Sequence, residues 1–100
     1  MDTISIIIPA YNEVGSITDV LKSVKDQKID GFDVEVIVVD DGSTDGMGDL
    51  LKKDKALYTT LITLSANRGK GAAVKAGLEK ATGQYILFQD ADLELSLIHI

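Results

Sequence analysis

Residues 34–43 read VEVIVVDDGS, a β-branched and mostly apolar run that meets two acids and a Gly-Ser turn. A nearly continuous run of this kind is typical of a strand buried on both faces of a sheet. Ile4–Ile8 has the same character and ends at Pro9. Two further segments, YTTLITLS at 58–65 and QYILFQ at 84–89, are also predicted as strands, because β-branched and aromatic residues favour extended structure. The sequence therefore predicts four strands.

Three segments between these strands have helical patterns. In the first, Ser16 could cap a helix whose apolar residues recur at helical spacing, namely Ile17, Val20, Leu21 and Val24. The second, about Gly46–Lys53, is short and weakened by two glycines. The third lies within residues 67–83, where Gly83 stands at the position of a C-terminal cap. Its expected apolar face consists of Val74, Leu78 and Ala81. Strands that alternate with helices predict an α/β fold, a Rossmann-like and mostly parallel sheet of about four strands with flanking helices.

The composition limits the class of protein. With 45% hydrophobic and 26% charged residues in 100, the chain fits one soluble globular domain or part of one. No apolar stretch approaches the roughly 18 residues of a membrane span, and the N-terminus lacks the features of a signal peptide, so we expect a cytoplasmic protein. The absence of cysteine excludes disulfides and thiolate metal sites. A net charge of −6 argues against nucleic acid or an anionic membrane surface as the main partner.

Three polar motifs share one edge of the sheet if the first, second and fourth strands are parallel: PAYNE at 9–13, DDGSTD at 40–45 and DADLE at 90–94. That edge is where open α/β sheets bind ligands. Asp90 and Asp92 point to the same side of an extended chain and could hold one cation between them, whereas without a cation they would repel. Hard oxygen ligands with no neighbouring His or Cys favour Mg²⁺ or Mn²⁺, which commonly binds phosphates as well. The ligand is therefore expected to carry phosphates.

Each of these motifs also has a simpler explanation that requires no ligand. A lone D-x-D pattern is often a solvated loop after a strand, Tyr11 could be a packed aromatic, and Asn12 could be a turn residue. A calcium-binding loop that starts at Asp41 is rejected, because its twelfth position is Lys rather than Glu. His99 is isolated in an apolar tail, and we assign it no function.

The glycine-rich segment NRGKGAAVKAG, residues 67–77, also has two explanations. Its spacing matches neither a Walker A loop nor a full dinucleotide-binding fingerprint. It is either a helix start capped by Asn67 or a phosphate site in which Arg68 and Lys70 face a diphosphate at the positive end of the helix.

Taken together and in this order, SIIIPAYNE, VIVVDDGSTD, NRGKGAAVKAG and ILFQDADLE resemble the N-terminal half of a family 2 glycosyltransferase with the GT-A fold. The likeness is greatest to the polyprenyl-phosphate sugar transferases, such as dolichol-phosphate mannosyltransferase and dolichyl-phosphate glucosyltransferase. It covers about residues 3–94. Residues 1–94 are then expected to form the nucleotide-sugar-binding half of a GT-A domain. The apolar tail 95–100 departs from the family pattern and is expected to be non-native, with a genuine short strand as the alternative.

The resemblance also implies a site and a reaction. The implied nucleotide-sugar-binding residues are Pro9, Tyr11, Glu13, Val39, Asp41, Arg68, Lys70, Asp90, Ala91 and Asp92. Asp90 and Asp92 would act in catalysis and, with Glu94, would hold Mg²⁺ or Mn²⁺. The implied reaction is inverting transfer of a hexose from a GDP- or UDP-sugar to a polyprenyl phosphate or a sugar acceptor. A lipid acceptor would place the protein at the cytoplasmic face of a membrane.

Other functions compete with this one. The chain could be a non-catalytic nucleotide-binding domain, a receiver-like regulatory domain or a scaffold fragment. A receiver carries its acidic pair after strand 1 and its acceptor Asp after strand 3, whereas the acids here follow strands 2 and 4. In the transferase interpretation, we expect the 100-residue chain alone to be inactive, because the acceptor side of the family's domain comes from a segment beyond Glu94.

Overall fold

Four strands and three helices alternate in the expected order in the computed structural model, which describes residues 2–26 and 29–91. In chain order the elements are β1 (Asp2–Ala10), α1 (Ile17–Asp26), β2 (Phe32–Asp40), α2 (Met47–Lys53), a 3-10 turn (Lys55–Leu57), β3 (Thr60–Thr63), α3 (Lys70–Lys80) and β4 (Tyr85–Phe88). No helix in the two described ranges is long and apolar enough to cross a membrane. The tail 95–100 lies outside these ranges.

The strands form one parallel sheet in the order β3-β2-β1-β4. β1 pairs with β2 along its whole length and ends with Ala10 opposite Asp40. Pro9 lies within this pairing, so it does not end the strand as expected. The chain builds outward from β1 to β3, and α3 then returns it across the sheet to β4, on the other side of β1. This reversal opens a crevice beyond the carboxyl ends of β1 and β4. The predicted fold class is confirmed.

Apolar side chains of β1 pack on both faces of the sheet. On one face, alternate residues such as Ile6 and Ile8 pack with α1 and α2. On the other face, Ile7 packs with Ile37 and Val39 beneath α3. Because helices cover both faces, β1 and β2 need nearly continuous apolar runs. α1 buries the residues that its periodicity predicted, Ile17, Val20, Leu21 and Val24.

α3 buries a different face from the predicted one. The expected face was Val74, Leu78 and Ala81. Leu78 is instead 45% exposed, and the buried residues of the helix are Ala73 and Gly77. A Cβ on Gly77 would lie 2.6 Å from Cγ2 of Ile7. The helix therefore packs so close to the sheet that only small residues fit between them, and side-chain hydrophobicity does not identify this face.

The ends of α3 also differ from the prediction. Gly69, rather than Asn67, directly precedes the helix, and Asn67 Oδ1 accepts the Gly69 N–H at 2.9 Å. The C-terminal cap is Ala81, not Gly83. Gly83 contacts β1, because a Cβ there would lie 2.6 Å from the Thr3 carbonyl oxygen. This glycine therefore permits β4 to start close beside β1.

A polar network around Glu35 fixes the chain just before β4. The Glu35 carboxylate accepts hydrogen bonds from Ser5 Oγ at 2.7 Å, from Thr82 N–H at 3.0 Å and from Thr82 Oγ1 at 2.9 Å. Gly83 N–H donates to Ser5 Oγ at 2.9 Å. Burial raises the pKa of Glu35, but the hydrogen bonds from Thr82 and Ser5 lower it more, so this pKa lies below its ordinary value of 4.5. In the sequence, the only indication of this network is that Glu35 is a charged residue within the apolar run of β2.

We expect Glu35→Gln to lower the free energy of unfolding by about 1 to 2 kcal/mol at pH 7, because one hydrogen-bond donor loses its acceptor. A lowered pKa in the folded state stabilises the protein above the unfolded-state pKa, and this stability is lost as pH falls through the folded-state value. The difference between wild type and variant should therefore be largest at pH 7 and shrink as the pH falls below 4.5. Urea unfolding at pH 7 and pH 3 measures it, with Asp33→Asn, an exposed acid on β2, as the charge control. An equal difference at both pH values would contradict the assignment.

Candidate functional site

A pocket of about 360 Å³ opens at the carboxyl ends of the strands, where the order of the sheet reverses. It is lined by the last two residues of β1 and by residues that follow β1, β2, β3 and β4, namely Pro9, Ala10, Tyr11, Glu13, Asp41, Asn67, Gly69, Lys70, Ala73, Asp90 and Ala91. Motifs far apart in the sequence are thus brought together at one sheet edge.

The structure gathers most of the predicted site residues in this pocket. Those that line it are Pro9, Tyr11, Glu13, Asp41, Lys70, Asp90 and Ala91. Val39 lies elsewhere, with its side chain completely buried beneath α3. Arg68 is exposed and is not among the lining residues, although its backbone contacts Asp41. Asp92 and Glu94 lie outside the described residues, so their predicted roles stay predictions.

The two acids at the end of β2 are almost completely buried, with Asp40 2% and Asp41 3% exposed. Asp40 Oδ1 accepts the Ser43 N–H at 2.9 Å and closes the turn. Asp41 accepts the Arg68 N–H at Oδ1 and the Gly69 N–H at Oδ2, each at 2.9 Å. Charge-assisted bonds to backbone N–H groups offset the desolvation of a buried carboxylate. Asp41 therefore holds the loop that leads into α3 beside the pocket.

Gly42 lets this loop approach β2. Its φ of 73° lies in the left-handed region that favours glycine. A Cβ on Gly42 would lie 2.5 Å from the carbonyl carbon of Ala66 and 2.6 Å from the nitrogen of Asn67. Both the backbone angle and the contact therefore require glycine after the two acids.

At the exit of β4, Asp90 forms an ion pair with Lys70 of α3, with Nζ and Oδ1 2.7 Å apart. The two side chains are 35% and 67% exposed, so the pair contributes at most about 1 kcal/mol to stability. Its importance is positional, because it places a cation and a carboxylate side by side at the pocket.

Ser16 connects the β4 exit with the start of α1. Its hydroxyl, which we expected to cap α1, lies 3.0 Å from the Ala91 carbonyl oxygen and 3.2 Å from Glu13 Oε2. A single hydroxyl proton is thus shared between two acceptors. Ser16 therefore joins two of the polar motifs at the pocket, a role that its position in the sequence did not reveal.

The described residues contain one member of the predicted metal-binding set, Asp90. Within residues 2–26 and 29–91 no group of three or more His, Cys, Asp or Glu side chains could hold a metal. Asp90 nevertheless suits a hard cation, because it presents carboxylate oxygens at the pocket and is partly exposed. The donor chemistry at this position fits Mg²⁺ or Mn²⁺.

Comparison with known proteins agrees with the fold and identifies the family. Residues 5–97 match the sequence profile of the family described as Glycosyl transferase family 2. The chain belongs to this family. Membership confirms the resemblance drawn from the four motifs and decides against the receiver-like domain.

Individual members of glycosyltransferase family 2 are similar over most of the chain. Dolichyl-phosphate beta-glucosyltransferase of Dictyostelium discoideum is 39% identical over 102 residues, which cover 89% of this chain and 30% of that protein. The structure of S. aureus TarS 1-349 in complex with UDP-GlcNAc is 34% identical with a TM-score of 0.77, over 90% of this chain and 26% of that one. The mannosyltransferase PcManGT of Pyrobaculum calidifontis, in complex with GDP-Man and Mn²⁺, is 32% identical with a TM-score of 0.76, over 89% of this chain and 27% of that one. The chain thus spans less than a third of the length of these relatives.

Sequence reasoning missed several pocket residues. Ala10, Asn67, Gly69 and Ala73 also line the cavity. The sequence offered only small residues at the start of α3 and an amide side chain before it. The same pattern is equally typical of a helix start with no binding role. Their place at the pocket depends on the close packing of α3 against the sheet.

We expect Asp41→Asn to lower the free energy of unfolding by about 2 kcal/mol. The side-chain NH₂ of asparagine would replace one carboxylate oxygen, so two donors would face each other and one backbone N–H would lose its acceptor. The amides of Arg68 and Gly69 should exchange faster with solvent deuterium. Urea unfolding and residue-resolved hydrogen exchange measure the two effects, with Asp49→Asn, an exposed acid on α2, as control. Unchanged protection of both amides would contradict the role given to Asp41.

Proposed function

We propose that the chain is the donor-binding part of an inverting glycosyltransferase, which transfers a hexose from a nucleoside diphosphate sugar to a polyprenyl phosphate. The observation that carries the proposal is the pocket at the switch point of the sheet, with an aromatic and a buried carboxylate among its lining and an Asp–Lys pair beside them. Family membership and similar structures crystallised with UDP-GlcNAc or GDP-Man support it.

The nucleoside would bind between the β1 and β2 exits. Tyr11 is 41% exposed at the pocket, and its ring offers a flat surface on which a base can stack. Asp41 keeps spare acceptor capacity, because each of its oxygens receives one backbone N–H. A ribose hydroxyl or a base N–H would donate to it. Pro9 and Glu13 complete this side of the pocket, and Val39 would support it from beneath.

The diphosphate would bind near the start of α3. Lys70 is the first residue of this helix, whose N-terminus carries partial positive charge. Arg68, two residues earlier, does not line the pocket, but it would add a second positive charge near this end of the helix. Asp90 would repel a diphosphate, and its ion pair with Lys70 would offset only part of this repulsion. This electrostatic conflict supports a metal at Asp90 and, beyond the described residues, at Asp92 and Glu94.

The metal would be Mg²⁺ or Mn²⁺, which suits carboxylate and phosphate oxygens. When bound, it supplies stabilisation of the negative charge that builds on the departing nucleoside diphosphate. Asp90 and Asp92 would orient the diphosphate, and Lys70 would hold it by direct charge attraction. PcManGT was crystallised with Mn²⁺, which supports a divalent ion of this kind.

The acceptor we favour is a lipid phosphate at the cytoplasmic face of a membrane. The names of relatives such as dolichyl-phosphate beta-glucosyltransferase support this class. A phosphate monoester is already an anionic nucleophile, so the reaction would need no strong general base at the pocket. The acceptor side would come from the part of the relatives that this chain does not span, and the 100-residue chain alone would bind the donor without transferring its sugar.

We expect Mn²⁺ together with UDP or GDP to raise the melting temperature of the 100-residue chain, and neither metal nor nucleotide alone to do so. A nucleotide at 100 times its Kd stabilises the folded state by about 2.7 kcal/mol, which corresponds to several degrees for a domain of this size. The shift should disappear in Asp92→Ala and shrink in Asp90→Ala. It should persist in Glu79→Gln, an exposed change near the far end of α3. A melting temperature that no combination of metal and nucleotide changes would overturn the proposed function.

A further inference from the structure

Two loops at the pocket are locked together by hydrogen bonds. The loop after β1 presents Asn12, whose N–H donates to Ser43 Oγ at 2.9 Å. In the opposite direction, the Thr44 N–H of the loop after β2 donates to Asn12 Oδ1 at 2.7 Å. The Asn12 side-chain amide in turn lies 3.4 Å from Thr44 Oγ1. Asn12 therefore contacts the second loop through its backbone, its amide oxygen and its amide nitrogen.

Asp45 adds a second connection between the same loops. Its Oδ2 accepts the Val14 N–H at 3.0 Å, and its Oδ1 accepts the Met47 N–H at 3.0 Å at the start of α2. We call Asn12, Ser43, Thr44 and Asp45 the loop clamp. The clamp holds the residues on both sides of Glu13 and ties them to the first turn of α2.

Asn12 is suited to this place for two independent reasons. Its φ of 52° lies in the left-handed region, and no other described residue apart from glycines has a positive φ. Asparagine tolerates that region better than most side chains do. Its amide also provides an acceptor and a donor on one short side chain, and the contact with Thr44 uses both. A residue that served only to form a turn would need to tolerate the positive φ, but it would not need the amide donor and acceptor.

No clamp residue lines the pocket in the part of the chain that the structure describes, yet two residues next to Asn12 do. Tyr11 and Glu13 are the immediate neighbours of Asn12. We propose that Asn12 is a positioning residue, and that the loop clamp fixes Tyr11 and Glu13 at the spacing that the nucleoside of the donor requires. This inference rests on the proposed function, because it concerns the affinity of the same pocket.

The physical reason is preorganisation. Without the clamp, the β1 loop would have to be ordered when the nucleotide binds, and the entropy lost in that ordering would weaken binding. A residue that only supports folding would change stability and leave the affinity of the folded protein unaltered. The two roles therefore separate when affinity and stability are measured on the same variants.

The test compares Asn12→Gly with Asn12→Asp in the 100-residue chain. Glycine accepts the positive φ but removes both amide contacts, whereas aspartate keeps the oxygen that accepts the Thr44 N–H. We expect Asn12→Gly to weaken the binding of UDP or GDP, measured by calorimetry with Mn²⁺ below the melting temperature, by about tenfold. Asn12→Asp should remain within about threefold of wild type. Hydrogen exchange at Thr44 and Val14 should accelerate in the glycine variant alone.

Glu35→Gln is the matched control, because it weakens a hydrogen-bond network near the start of β4 and should leave nucleotide affinity unchanged. Asn12→Gly that is folded and binds like wild type would overturn the inference and leave the proposed function standing. Wild type that binds neither UDP nor GDP would overturn both. If Asn12→Gly does not fold, Ser43→Ala takes its place, since it removes only the acceptor of the Asn12 N–H. Binding severalfold weaker than wild type supports the clamp, and unchanged binding refutes it.

Discussion

The site depends on one constraint, the burial of β1 between two neighbouring strands and two helical layers. Ile7 and Ile8 are completely buried on opposite faces, and β1 is hydrogen bonded to β2 on one side and β4 on the other. A strand held in this way has no freedom to shift its register. The loops that leave its carboxyl end and those of its neighbours therefore start from fixed points, and the pocket keeps its shape through the packing beneath it.

The acids that follow the strands have distinct tasks. Asp40 and Asp41 are buried and bind backbone N–H groups, so they organise the loops around the pocket. Asp90 is partly exposed and forms an ion pair with Lys70 at the pocket. A buried strand can end in acids because a parallel sheet gathers backbone donors at the same edge. Acidic residues thus organise the loops at the end of β2, whereas the acid after β4 lies in a partly exposed ion pair.

The sequence predicted what depends on local pattern and failed where long-range geometry decides. The β-branched runs identified β1 and β2, and the spacing of Ile17, Val20, Leu21 and Val24 identified α1. The buried face of α3 was wrong, because Gly77 packs by its lack of a side chain, which a hydrophobic pattern does not register. At the pocket, the motifs indicated Tyr11, Asp41 and Asp90. Contacts such as Ser16 with Ala91, 75 residues apart, were not visible before the fold was known.

The pairing of β4 with β1 has a consequence for the order of folding. Thr3 hydrogen bonds with Gln84, 81 residues later, and Ile7 pairs with Phe88. Closing so long a segment is slow relative to local helix formation, and on the ribosome it must wait until β4 has been made. A nascent chain can thus assemble β1, β2 and their interlocked loops while the side of the crevice that carries Asp90 is still missing. The pocket is therefore completed late in folding, because only a chain in which β4 has paired with β1 presents both of its walls.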